Sequence, residues 1–220
     1  MAIVTDGSAR WARAQGLSIS DGHEAAADTV IARIGDADEL GIEELTLYAF
    51  STENWTRPDE EVSAVLGMLA RRIAADAPKL HARDVRVRFI GRRDRAGEEL
   101  VEHLESAEEL TAQNQGLLVY VALDYGGRDE IISAARRFDG GSEEDFAKLL
   151  HAPEMHDPDL VIRTSGEQRL SNFLLWQAAY SELVFRPEMW PDFGRVALEE
   201  CLGEYAERRR RFGGRTTPPR

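Results

Sequence analysis

Two short polar stretches carry the residues best suited to chemistry. The first holds Arg163, Thr164, Ser165, Gly166, Glu167, Gln168, Arg169, Leu170, Ser171 and Asn172, directly after an apolar segment of strand character, Asp159-Leu160-Val161-Ile162. Guanidinium forks and hydroxyl donors around a glycine turn suit a polyanion such as a diphosphate. An ordinary strand-to-helix loop with solvated arginines fits the same spacing. The second stretch, Asp6-Gly7-Ser8-Ala9-Arg10-Trp11-Ala12, runs from an apolar segment into a helical pattern. Gly7 permits a tight turn, and free backbone N–H groups at a helix start can cradle phosphate oxygens. Arg10 adds a charged fork. Asp6 beside such a cradle is electrostatically awkward without a cation. Magnesium, held by one or two carboxylates together with substrate phosphates, resolves the conflict. The plainer alternative makes Asp6 a helix N-cap. The Gly-Lys-Ser/Thr of a Walker loop is absent.

These residues need a scaffold, and the rest of the chain reads as one. β-type runs at 2–5, 45–50, 85–90, 117–123, 160–163 and 183–185 alternate with longer segments of helical spacing. Val62, Val65, Leu66, Leu69 and Ile73 form one apolar stripe. Leu100, Leu104 and Leu110 form a second, and Val30, Ile31 and Ile34 belong to a third. The alternation predicts an α/β fold with a largely parallel sheet covered on both faces. In open α/β sheets ligands bind beyond the carboxyl ends of the strands. Four polar runs fall there: 6–10, 51–57, 124–128 and 163–171. Together they indicate one shared site. No internal repeat or linker suggests a second domain; the domain is expected over 1–212, with 213–220 as a disordered tail.

The composition narrows the function classes. The 220 residues, 43% of them hydrophobic, suffice for one sizeable core. A formal net charge of -13 argues against a nucleic-acid binder. Cys201 is the single cysteine, so an intrachain disulfide and a cysteine-based zinc site are excluded, and its helical setting predicts a packed thiol. No signal peptide is evident and no apolar run approaches the ~20 residues that span a bilayer. A cytoplasmic protein is expected. Asp36-x-Asp38-Glu39 reads as a solvated helix face rather than an aspartate-rich metal motif. The arginine run 208–211 reads as a basic helix end.

Taken together, the loops resemble the cis-prenyltransferase family of the undecaprenyl diphosphate synthase type. The matches are Asp6-Gly7-x-x-Arg10-Trp11-Ala12, Gly22-His23, the run from Leu45 through Ser51-Thr52-Glu53-Asn54-Trp55-x-Arg57-Pro58, and Tyr125-Gly126-Gly127-Arg128. They continue from Asp159 through Arg163-Thr164-x-Gly166-Glu167-x-Arg169-x-Ser171-Asn172 to Gln177. Tyr180-x-Glu182-Leu183, Trp190-Pro191-Asp192-Phe193 and Arg209-Arg210-Arg211-Phe212-Gly213-Gly214 complete them. The resemblance implies a six-stranded, mostly parallel sheet with an apolar product tunnel, assembled as a homodimer. It implies repeated addition of isopentenyl diphosphate to an allylic diphosphate such as farnesyl diphosphate, giving cis double bonds, with Mg2+ as cofactor and peripheral contact with a membrane. By resemblance Asp6, His23, Asn54 and Arg57 are catalytic. Gly7, Ser8, Ala9, Arg10, Trp11, Ser51, Glu53 and Trp55 bind substrate, with Trp55 and Arg57 on a loop that closes over it. Arg163, Arg169 and Ser171 hold isopentenyl diphosphate, and Asp6 and Glu182 hold the metal. The resemblance also implies, with weight equal to the helix-end reading, that part of the arginine run 208–211 reaches the partner subunit's site.

Four positions depart from the family pattern. Ser8 replaces an asparagine, Ala9 a glycine, Ile19 an arginine that contacts the allylic diphosphate, and Asp124 the asparagine before Tyr-Gly-Gly-Arg. The departures at Ser8 and Ile19 remove polar contacts on the allylic side. Two other readings stand beside a polyprenyl synthase: a short-chain or irregular prenyl synthase on the same fold, and a non-catalytic partner subunit. The second conflicts with the presence of Asp6, Arg163, Arg169 and Ser171.

Overall fold

The structure, a computed structural model, describes residues 1–208. The tail from 213, the Arg209–Gly214 motif and all but the first residue of the arginine run lie outside the described residues. In chain order the elements are β1 (Ala2–Val4), α1 (Ser8–Ala14), α2 (Ile19–Glu39), β2 (Glu44–Ser51), a 3-10 turn (Thr52–Thr56), α3 (Asp59–Ala82), β3 (Arg86–Ile90) and α4 (Glu98–Thr111). They continue with β4 (Leu118–Tyr125), α5 (Gly127–Ala135), α6 (Glu143–Ala147), β5 (Leu160–Arg163), β6 (Glu182–Phe185), a second 3-10 turn (Trp190–Asp192) and α7 (Arg195–Glu207).

The six strands form one sheet in the order β3-β4-β2-β1-β5-β6, and every neighbouring pair is parallel. The register aligns Ile3 with Leu47 and with Ile162, Leu47 with Val121, and Ile162 with Val184. Alternation along the strands sends Ile3, Leu47, Val119 and Ile162 to one face, packed with Ile34 of α2 and Leu198 of α7. Ala2, Tyr48, Tyr120 and Val161 face the other way, against Phe173 and Leu174. A third cluster joins Val62 and Val65 of α3 to Leu100 and Leu104 of α4. Burial on both faces explains why interior strands such as β1 read as continuous apolar runs, whereas the edge strand β3 keeps Arg86 and Arg88.

Three expectations need correction. Leu110 is 41% exposed and does not extend the α4 stripe inward. Asp36, Asp38 and Glu39 are not simply solvated: they pair with Arg33, Arg83 and Arg195. Asp6 is not the cap of α1, because Gly7 occupies that position. Cys201 is fully buried as expected, and burial pushes its thiol up to about 11.

Candidate active site

The loops after β1 and β5 are joined at the centre of the sheet. Asp6 N–H donates to Thr164 Oγ1 at 3.0 Å, and Thr164 Oγ1 donates back to Asp6 O at 2.7 Å. Gly7 turns the chain at φ 112, and a Cβ there would lie 2.7 Å from Met189 Sδ. Glycine is therefore required for conformation and for space. Arg163 ends β5 with its side chain 5% exposed; it donates to Asp6 Oδ2 at 2.8 Å and to Ser171 Oγ and Arg169 O at 2.6 Å each. Arg10 reaches Ser165 Oγ at 2.7 Å, Glu167 at 3.3 Å and Asp6 Oδ2 at 3.4 Å. Arg169 pairs with Glu167. Partial burial pushes the Asp6 carboxyl up, but hydrogen bonds from Arg163 and Ser165, with the charges of Arg163 and Arg10, outweigh it and hold the group below its ordinary range. Asp6 is an anion at neutral pH.

The backbone of this loop is strained. Ser165, Ser171, Asn172 and Leu174 all have positive φ, at 77, 49, 65 and 44. Such residues persist where surrounding contacts over-determine them, and they gather at functional sites. Asn172 is so held: its carbonyl accepts from Gly127 N–H at 2.7 Å, its Oδ1 from Arg128 N–H at 2.8 Å, and its Nδ2 donates to Glu53 Oε1 at 2.7 Å.

The loop after β2 completes the ring. A register shift beside Ala49 is a bulge that exposes this residue to the cavity. Asn54 Oδ1 accepts from Ser51 N–H at 3.0 Å and closes the turn. Arg57 pairs with Glu61 at 3.2 Å. His23 stands on α2, where Gly22 allows α1 to approach: a Cβ on Gly22 would meet Ser8 O at 2.6 Å. Burial and then the charge of Arg57 push the His23 imidazole down, so it is neutral, and its buried Nε2 has no partner among the described residues.

Between these loops lies a cavity of about 920 Å³. Asp6, Gly7, Ser8, Ala9, Arg10, His23, Ser51, Glu53, Asn54, Arg57, Arg163, Arg169 and Ser171 all reach its wall, so most of the expected site is brought together. Ala26, Ala27 and Val30 of α2 with Val65, Met68 and Leu69 of α3 supply an apolar wall. Val30, Val65 and Leu69 of the apolar stripes on α2 and α3 thus line the cavity. One compartment offers arginines that suit phosphates and apolar side chains that suit a hydrocarbon chain.

Trp11, Trp55 and Glu182 do not line it. Trp11 Nε1 donates to Asp192 at 2.8 Å. Trp55 Nε1 donates to buried Asp124 at 2.8 Å, while Arg95 clasps the same carboxylate at 2.6 Å and lies 4.7 Å over the indole. Glu182 opens β6 opposite Leu160, whereas Arg163 stands opposite Phe185. Three residues of strand, ~10 Å of rise, thus separate Glu182 from the level of Arg163, and its carboxylate pairs with Arg208 at 2.9 Å. Among the described residues no three His, Cys, Asp or Glu side chains gather as a metal site. Asp6 fits a magnesium ion that completes its shell with substrate phosphates: it is anionic, it lines the cavity, and both arginine contacts fall on Oδ2. Arg13, Arg128 and Asn172, which were given no substrate role, also line the cavity. Arg128 and Asn172 stood within stretches already singled out; only their side-chain surroundings were missing.

Comparison with known proteins gives a consistent result. A prenyltransferase family model described as "Putative undecaprenyl diphosphate synthase" matches residues 4–213. Isoprenyl transferase 2 of Bradyrhizobium diazoefficiens is 47% identical over 97% of this chain and 89% of its own length. The crystal structure of lavandulyl diphosphate synthase from Lavandula x intermedia, in complex with dimethylallyl diphosphate, is similar with a TM-score of 0.92 and 35% identity, covering 96% of each chain. A probable undecaprenyl diphosphate synthase from Campylobacter jejuni is similar with a TM-score of 0.83 and 32% identity, covering 96% of this chain and 97% of that one.

Proposed function

The chain belongs to the undecaprenyl diphosphate synthase family of cis-prenyltransferases, and from that premise we propose that it condenses isopentenyl diphosphate with an allylic diphosphate such as farnesyl diphosphate to make a cis-polyprenyl diphosphate. One observation carries the reading: a single cavity whose wall combines Asp6, Arg10, Arg163 and Arg169 with the apolar residues of α2 and α3. In each cycle the allylic carbon–oxygen bond breaks, diphosphate leaves, the isopentenyl double bond attacks the allylic carbon, and a proton is released from the isopentenyl unit. Gly7, Ser8, Ala9 and Arg10 hold the allylic diphosphate, since the first N–H groups of α1 lack acceptors within the helix. Arg163, Arg169 and Ser171 hold isopentenyl diphosphate. Fixing both substrates makes the attack effectively unimolecular, and donors already aimed at the departing oxygens stabilise their developing charge. A magnesium ion held by Asp6 would neutralise diphosphate charge and polarise the leaving group. His23, neutral with a free Nε2, serves as a hydrogen-bonding partner to substrate; Asn54 and Arg57 complete that wall.

We assign Glu182 to the metal only through assembly of two chains, since within one chain it faces Arg208. A homodimer in the cytoplasm, touching the membrane face peripherally, fits a product that serves as a lipid carrier for cell-wall glycans. Among the described residues no helix is long and apolar enough to cross a membrane. A second reading, a short-chain synthase on the same fold, is favoured by the likeness to lavandulyl diphosphate synthase. Purified protein supplied with isopentenyl diphosphate, magnesium and allylic primers of several lengths separates the two. A ladder of long polyprenyl products supports the first reading. A single condensation supports the second, and no elongation of any primer rejects both.

A further inference from the structure

Six arginines line the cavity: Arg10, Arg13, Arg57, Arg128, Arg163 and Arg169. Four are engaged by carboxylates, Arg10 and Arg163 by Asp6, Arg57 by Glu61 and Arg169 by Glu167. Among the described residues the side chains of Arg13 and Arg128 form neither an ion pair nor a hydrogen bond. In a chain with 40 acidic and 27 basic residues, an unclaimed guanidinium on a cavity wall needs a reason. Arg13 has a local one: it stands in the last turn of α1, where a cation meets the negative end of the helix dipole. Arg128 is in the opposite situation. It is the second residue of α5, at the positive end of that helix, where a cation is disfavoured.

The fold nonetheless fixes Arg128 firmly. Its N–H is bound by Asn172 Oδ1 at 2.8 Å, and the preceding Gly127 N–H by Asn172 O at 2.7 Å. The two glycines before it have no room for a side chain: a Cβ on Gly126 would meet Thr52 Oγ1 at 2.4 Å, and one on Gly127 the Leu175 backbone N at 2.9 Å. Arg128 is thus pinned, exposed, unfavourably placed and unpaired, beside Arg169, Ser171 and Asn172 on the same wall. We infer that Arg128 is a further binding residue for the diphosphate of isopentenyl diphosphate, beside the Arg163–Ser171 group. The substrate's anion supplies the counter-charge that the protein withholds. The inference rests on the function proposed above and adds a residue to it.

The test is calorimetric titration of isopentenyl diphosphate with magnesium and no allylic primer, so that no turnover occurs. Arg128→Gln keeps the size of the side chain and removes its charge. Arg136→Gln, at the far end of the same helix and off the cavity, controls for net charge. Arg128→Gln should raise Kd at least about tenfold, the lower range for loss of a hydrogen bond to a charged group. Arg136→Gln should stay within about twofold, and Arg128→Lys should fall between, having charge without the fork. Circular dichroism and thermal unfolding should match for all variants. Unchanged isopentenyl diphosphate binding in Arg128→Gln overturns the assignment alone. Loss confined to an allylic diphosphate, titrated separately, overturns its placement. Absence of saturable binding by the unsubstituted protein overturns the proposed function, and this assignment with it.

Discussion

Replacing Arg163 by methionine should damage both the fold and the site, and the damage should depend on pH in a defined way. The Arg163 side chain is 5% exposed and donates to Asp6 Oδ2 at 2.8 Å, so the substitution leaves a partly buried carboxylate without its main partner. Breaking a buried pair from one side costs about 3–5 kcal/mol. Asp6 is 29% exposed and keeps Arg10 at 3.4 Å, which puts the expected loss at the lower end. We expect about 3 kcal/mol at neutral pH. The folded-state Asp6 pKa lies below the ordinary 3.8, so its stabilising contribution is complete above that value and is lost as pH falls through the lower native one. The variant lacks most of this contribution. The gap between the two proteins should therefore be widest near neutrality and close below pH 3.8. Urea unfolding followed by circular dichroism over that range measures it. A variant as stable as the parent at neutral pH, or a gap that does not change with pH, would refute the coupling of Asp6 to Arg163.

Other perturbations address separate parts of the account. Ile19 lines the cavity beside Ser8, so Ile19→Arg should tighten an allylic diphosphate by about tenfold in calorimetry while leaving isopentenyl diphosphate unaffected; unchanged binding would show that the side chain does not reach the phosphates. His23 is pushed below its ordinary 6.5 by burial and Arg57. Unfolded His23 takes up a proton before the native residue does, so the protein should lose stability as pH falls from 6.5 toward the native value. His23→Gln should flatten that part of the profile in thermal unfolding; an unaltered profile would count against a neutral His23. Asp124→Asn keeps an acceptor for Trp55 Nε1 but removes the charge that Arg95 clasps, which should lower stability by about 1–3 kcal/mol in urea unfolding.

Much of this was legible in the sequence because the sheet is buried on both faces. Val161 and Ile162, or Tyr120 and Val121, stand out as strand residues since both sides of an interior strand must be apolar, and all six strands overlap the β-type runs. The polar loops were legible for a related reason: parallel strands deliver all their carboxyl ends to one edge. Side-chain direction was not. Trp55 sits within a recognisable motif, yet its indole turns to Asp124, a partner that strand spacing alone does not reveal. Leu110 is six residues from Leu104, about 240° around the helix, so it turns to solvent while Ala107 and Thr111 carry the buried face to the end of α4. Glu182 and Arg163 belong to adjacent strands, and only the register shows that they stand at different levels. The unpaired state of Arg128 is likewise a property of the assembled loops, since it depends on where every nearby carboxylate has been drawn.

Asp6, Arg10, Arg163 and Arg169 are proposed to bring the two substrate diphosphates together, with a metal ion, at the carboxyl edge of the sheet. Incorporation of labelled isopentenyl diphosphate into an allylic primer tests this proposal most directly, in parent protein and Asp6→Asn, with magnesium and with excess chelator. Asparagine keeps an acceptor for Arg163, so the variant should remain folded. The parent should incorporate label only with magnesium, and Asp6→Asn should fall by about a hundredfold or more, equivalent to ~2.7 kcal/mol of transition-state stabilisation. Full incorporation by Asp6→Asn, or by the parent in chelator, would contradict the proposal.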